Sequence, residues 1–159
     1  MGSGSSAKFA CNAIGDYNLD TRIVSIDPFS RAEIERICDE VIRAPVEEVD
    51  LQLFGRPDTN DTLFIDSAHM ILMNPDVTTI FLDVIPKLKS GVLVVIHDIL
   101  LPYDYHSEWS DRGYSEQYFL ASYILVEGGK FDIILPNYFI SHDKDLKNIL
   151  APLWKKGRK

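Results

Sequence analysis

Three short, β-branched segments that each run into an aspartate constrain this chain more than any other feature. They are RIVSID (Arg22–Asp27), TLFID (Thr62–Asp66) and GVLVVI (Gly91–Ile96), the last followed by His97-Asp98. Helix-like segments separate them, and strands alternating with helices predict an α/β fold: a doubly wound, mostly parallel sheet with helices on both faces. In such a sheet, ligands bind outside the carboxyl ends of the strands. One acid at a strand end is unremarkable, because it can simply hold a turn. Three on successive strands predict a site at Asp27, Asp66 and Asp98.

The remaining elements follow from periodicity. Ser5 or Ser6 is placed to cap a helix carrying Phe9, Ala10, Ala13, Ile14 and Tyr17. Further helices are expected at Ser30–Ile37, at Val46–Phe54, after Asn74-Pro75 with Val77, Phe81, Val84 and Leu88 on one face, at Ser115–Val126 before Gly128-Gly129, and at Asp143–Leu153. A weaker strand at Val41-Ile42 ends at Pro45. Gly91–Ile96, the most continuous apolar run, reads as a central strand covered on both faces. Phe131–Leu135 and Tyr138–Ile140 read as two closing strands.

Length and composition narrow the classes of function. At 159 residues, with 46% hydrophobic and 25% charged, one globular domain spanning 1–159 is expected. Lys plus Arg is 16 against 24 Asp plus Glu, a net charge of -8. That balance disfavours nucleic acid and anionic membrane as partners. No apolar run approaches the roughly 20 residues of a membrane helix, and no signal peptide is visible. Cys11 and Cys38 have no metal-type spacing, so a reducing, cytoplasmic setting is the default. The G-x-S-x-G elbow and the G-x-x-x-x-G-K-[ST] loop are both missing from the sequence.

Three stretches carry candidate chemistry. Gly2-Ser3-Gly4-Ser5-Ser6-Ala7 fits G-x-G-x-x-G/A at the start of a helix, where glycines allow close approach and free N–H groups attract an anion. Asp27 follows at roughly the 20-residue spacing of an acid that binds ribose hydroxyls. The same Gly/Ser composition also suits a plain linker, and the match with Asp27 favours the binding reading. Second, Asp66-Ser67-Ala68-His69 and His97-Asp98 place carboxylates and imidazoles at adjacent strand ends. They could hold a divalent cation or supply a general base, or merely cap turns. Third, Leu101–Tyr114, with Tyr103, Tyr105, His106, Trp109 and Tyr114, is a long aromatic loop of the kind that forms lids or binding loops; self-packing at a sheet edge would explain it equally well.

Taken together, GSGSSAKFA, RIVSIDP, TLFIDSAH and GVLVVIHDILLPYDY resemble class I S-adenosylmethionine-dependent methyltransferases, and most of all the group called methyltransferase domain 24. The likeness runs from Gly2 to about Trp154. It implies a Rossmann-like sheet and a cofactor site in which Gly2, Ser3, Gly4 and Ser5 hold the methionine part, Asp27 the ribose, and Asp66 lies beside the sulfonium. It also implies Mg²⁺ held by Asp66 and Asp98, with His97 or His69 as a further ligand. The expected reaction is methyl transfer to an oxygen of a small molecule or sugar, with or without a metal. His69, His97 and Asp98 are equally eligible as the base that activates the acceptor.

The same resemblance leaves a mismatch at the front of the chain. The first strand, which normally precedes the glycine loop and lies between the strands ending at Asp27 and Asp66, is missing ahead of Gly2. An N-terminally truncated domain with weak cofactor binding is therefore expected. A second chain pairing into the gap, giving a homo-oligomer, is one form it could take. Two other functions fit the residues: a degenerate Rossmann-like module that binds without turnover, and an NAD-dependent oxidoreductase, since G-x-G-x-x-A serves both cofactor classes.

Overall fold

A computed structural model describes residues 4–71, 75–127 and 129–152. Gly2, Ser3, Asn74, Gly128 and Leu153 of the expected elements lie outside the described residues. Two compact units make up the chain: residues 1–68 with 72–97, and residues 69–71 with 98–159.

The first unit opens with α1 (Ser5–Tyr17), and the residue at its N-cap is Gly4, with φ 74° and no side-chain cap. The expected serine cap is thus corrected: both serines are already helical. A Cβ on Gly4 would lie 2.3 Å from Ile34 Cδ1, so this position combines a left-handed backbone with no room for a side chain. β1 (Val24–Ile26) follows, then a single turn α2 (Ala32–Glu35) and β2 (Glu40–Ile42). The expected helix at Val46–Phe54 is instead two 3₁₀ turns, Val46–Glu48 and Leu51–Gly55. Asp50 starts the second turn by accepting from the Gln52 N–H at 3.0 Å.

β3 (Thr62–Ile65) and β4 (Leu93–Ile96) complete the strands. β1 pairs parallel with β2, and β3 parallel with β4, in register Ile65 to Ile96. Among the described residues these are two separate two-stranded sheets, so the single doubly wound sheet is not formed. The parallel, helix-connected pairing that the alternation predicts is present in each. Strands of three and four residues offer few ladder bonds, which limits how far either pair extends.

α3 (Pro75–Thr79) starts with Pro at its first turn and runs on as a π turn, Ile80–Val84, and a 3₁₀ turn, Ile85–Lys87. The pitch changes where Pro86 can supply no N–H to continue the ladder. Val77, Phe81 and Val84 are fully buried, as their shared face requires, and Ile34, Phe54, Ile65, Ile80 and Ile85 join them in the core. The doubly covered position expected for Gly91–Ile96 is corrected: Leu93, Val94 and Val95 are 36–42% exposed, and Phe64 beside Val95 is 42% exposed. Among the described residues β4 has β3 as its one strand partner, so it stands at an edge there.

The second unit contains a 3₁₀ turn (Ser107–Arg112), α4 (Glu116–Glu127) and α5 (Asn137–His142). The two closing strands are not formed. Residues 131–135 have no regular structure, with Ile133, Ile134 and Leu135 exposed, and 138–140 are helical. Pro136 at the α5 N-cap suits a helix start, and Tyr138 stacks on His142 one turn later at 4.0 Å. In place of the C-terminal helix from Asp143, residues 144–149 form turns, with Asp143 Oδ1 accepting from both Asp145 N–H and Leu146 N–H. Leu100, Ile140 and Leu150 are its buried apolar residues. Both cysteines are free thiols, and no described helix is long and apolar enough to cross a membrane.

Candidate functional site

In the first unit the predicted residues gather at the carboxyl ends of the strands. Asp27 directly follows β1, and its N–H donates to Ile42 O at the end of β2. Its Oδ1 accepts from Phe29 N–H at 2.8 Å, which pins the carboxylate in a turn. Beside it, at the end of β2, lies a cavity of about 500 Å³ lined by Ile42, Ala44, Val49, Leu53 and Arg56. The sequence reading did not anticipate this cavity. Its size falls within the usual range for small-molecule sites, roughly 300–1,000 Å³.

Asp66 directly follows β3 and His97 directly follows β4, so the parallel register brings them together. Asp66 Oδ1 lies 3.8 Å from His97 Nδ1, and the His97 side chain is about half exposed. One carboxylate oxygen and one imidazole nitrogen form a mixed donor pair. That mixture suits a transition ion better than Mg²⁺, which takes oxygen ligands. The third predicted metal ligand, Asp98, belongs to the second unit.

The second unit holds a buried imidazole. His69 is 5% exposed and sits at φ 61°, a conformation uncommon for a residue with a Cβ. Its Nδ1 is 2.7 Å from Oε2 of Glu116, which is fully buried, and its Nε2 is 3.8 Å from Asp98 Oδ2. The ring packs on Tyr114 at 4.6 Å. Backbone bonds fix this arrangement: the N–H groups of Ser115 and Glu116 donate to His69 O, and Ile71 N–H donates to Ser115 Oγ. Asp98 also has positive φ, at 55°. Positive φ at His69 and at its neighbour Asp98 is the kind of local cost found at functional sites.

Because a carboxylate only accepts, the Glu116 contact places the proton on Nδ1 and leaves Nε2 as the basic nitrogen. Of the three predicted catalytic residues, His69 and Asp98 are brought together, and His97 pairs with Asp66 instead. Glu116 was missed. Its signal was available: Glu116 and Gln117 stand one turn before Phe119, Leu120, Tyr123 and Ile124 on the apolar face of α4, where two polar residues would be buried. Gln117 is fully buried as well, accepting from Leu100 N–H at 3.0 Å and donating to Tyr103 O at 3.3 Å, which ties the aromatic loop to α4.

Gly2 and Ser3 of the cofactor loop lie outside the described residues. Gly4 and Ser5 stand at the start of α1. The acid-ended strand β1, which runs into Asp27, has the carboxylate that a ribose-binding position needs.

Residues 1–99, more than half of the chain, match the methyltransferase domain family. Comparisons with curated proteins and with solved structures returned no match. The methyltransferase domain uses S-adenosylmethionine as its methyl donor and has a Rossmann-like α/β fold. The chain belongs to the methyltransferase domain family.

Proposed function

We propose that this protein transfers a methyl group from S-adenosylmethionine to a hydroxyl oxygen of a small molecule or sugar, with His69 as the general base. S-adenosylmethionine supplies an electrophilic methyl carbon on a sulfonium. Gly4 and Ser5, with Gly2 and Ser3, hold its amino-acid end at the start of α1. Asp27 would accept from its ribose hydroxyls, the cavity at the end of β2 would receive its base, and Asp66 belongs to the same carboxyl-end group.

The observation that carries this reading is the 2.7 Å contact between His69 and Glu116. Buried Glu116 orients the imidazole and stabilises the imidazolium that forms when Nε2 takes the acceptor's proton. Asp98, 3.8 Å from Nε2, adds to that stabilisation. Asp66 and His97 would hold a divalent cation, which would supply the charge that lowers the acceptor's pKa. Methyl transfer itself depends on proximity and alignment, so the protein's chemical task is to remove one proton from a well-placed hydroxyl.

The test is transfer of isotopically labelled methyl from S-adenosylmethionine to a panel of hydroxylated acceptors. His69→Gln is expected to slow labelling about 10²–10⁴-fold, the usual contribution of general-base catalysis, while S-adenosylhomocysteine still binds. Equal labelling rates in the two proteins would remove His69 from the mechanism.

A further inference from the structure

We infer that the aromatic loop of the second unit forms the acceptor pocket and takes a neutral, hydroxyl-rich single ring of pyranose size; its role as an acceptor site rests on the methyl-transfer reading above. Asp104, Tyr105, His106, Trp109, Tyr114 and Tyr118 line a cavity of about 210 Å³. That is smaller than a drug-sized site and sets a limit of about one ring. The cavity lies beyond residue 99, outside the residues matched to the family.

The walls are built rather than incidental. Tyr105 is the hub, edge-on to Tyr114 and Tyr118 at 5.7 Å each, and Trp109 meets Tyr114 edge-on at 5.6 Å. Gln117 N–H donates to the Tyr105 hydroxyl at 3.2 Å, fixing the hub to α4. His106, Ser107 and Ser110 add polar groups to the wall, and its acid is the Asp104 carboxylate, which accepts from the Tyr118 hydroxyl and, at 2.7 Å, from Tyr105 N–H. Those bonds hold the Asp104 carboxyl below its ordinary range, so it is an ionised acceptor at neutral pH.

Charge selects among ligand classes. An anion would face the Asp104 carboxylate in the pocket wall. A cation would compete with Arg112, whose guanidinium already lies 4.6 Å over Trp109 and 5.6 Å from the centre of Tyr114. A neutral ring meets neither objection. Its C–H face packs on the aromatic walls and its hydroxyls donate to Asp104, the combination of apolar contact and a few placed polar groups expected of a small-molecule site.

The test follows Trp109 fluorescence in the full chain carrying Trp154→Phe, so that the signal comes from Trp109 alone. The probes are the methyl glycosides of glucose, galactose, mannose and rhamnose, with choline and benzoate as the cationic and anionic arms. Saturable quenching by at least one glycoside is expected, weakened roughly tenfold by Asp104→Asn, which keeps the shape and removes the charge-assisted acceptor. Tighter saturation by choline or benzoate than by every glycoside would overturn the assigned class. No saturation by any glycoside, in a protein that binds S-adenosylhomocysteine, would overturn the pocket. Glycoside saturation without S-adenosylhomocysteine binding would overturn its role as an acceptor site and with it the methyl-transfer reading.

Discussion

Nδ1 of His69 lies 2.7 Å from Oε2 of Glu116, and both side chains are buried in the second unit. The contact joins a residue that the strand-end pattern singled out to one that it did not. It also decides which imidazole nitrogen can act as a base. Replacing Glu116 by Gln keeps the volume but offers Nδ1 either a donor or a weaker acceptor, and it removes the charge that stabilises an imidazolium. Glu116→Gln is expected to lower the methyl-transfer rate about 10²-fold or more without altering S-adenosylhomocysteine binding. Rates against pH for the two proteins check this; superimposable profiles would show that Glu116 is only structural.

Tyr105 ionises well above its ordinary range. Burial, reinforced by the acids Glu116 and Asp98 and by Tyr118, pushes its pKa from 10.0 up to about 12, against the opposing bond from Gln117 N–H. A raised phenol pKa means that the fold favours the neutral form. Its contribution to stability is therefore complete below pH 10 and is lost as pH rises through about 12. Spectrophotometric titration should show a tyrosine ionising near that upper value, and Tyr105→Phe should remove that step. Removal of a step near pH 10 instead would contradict the packing around Tyr105.

Phe81 anchors the first unit. It is fully buried at the π turn between α3 and its 3₁₀ end, so Phe81→Ala should cost about 3–5 kcal/mol in urea unfolding followed by circular dichroism. A cost below 1 kcal/mol would mean that this run of helix does not pack as described.

The Asp66–His97 pair predicts a response to metal. Mn²⁺ or Zn²⁺ should raise the melting temperature and chelator should reverse the rise, while His97→Ala should remove the response by deleting one of two donors. Equal melting temperatures with ion and with chelator would leave the pair as a strand-end contact only.

What the sequence disclosed, and what it did not, divides along physical lines. The β-branched segments at 24–26, 62–65 and 93–96 are strands because their composition allows little else, and parallel pairing carries Asp66 to His97. The face of Val77, Phe81 and Val84 was legible because helical spacing persists for several turns. Phe131–Leu135 and Tyr138–Ile140 misled for the opposite reason. Short apolar runs carry no period that separates strand from helix, and the structure resolves them as irregular chain and as α5. Glu116 stayed hidden because an acid in the first turn of a helix ordinarily reads as a favourable interaction with the helix dipole. Its place one turn before the apolar face of α4 pointed to burial, and the structure pairs it with His69.

The most direct test of the central claim is a ligand-observed NMR titration with S-adenosylhomocysteine, using NAD as the competing probe, because that method reads weak as well as tight binding. Saturable transfer to the adenosyl protons is expected, weakened about tenfold to a hundredfold by Asp27→Ala through loss of a charge-assisted contact to the ribose, with NAD unable to displace it. Absence of any S-adenosylhomocysteine signal, displacement by NAD, or an affinity unchanged in Asp27→Ala would contradict the account.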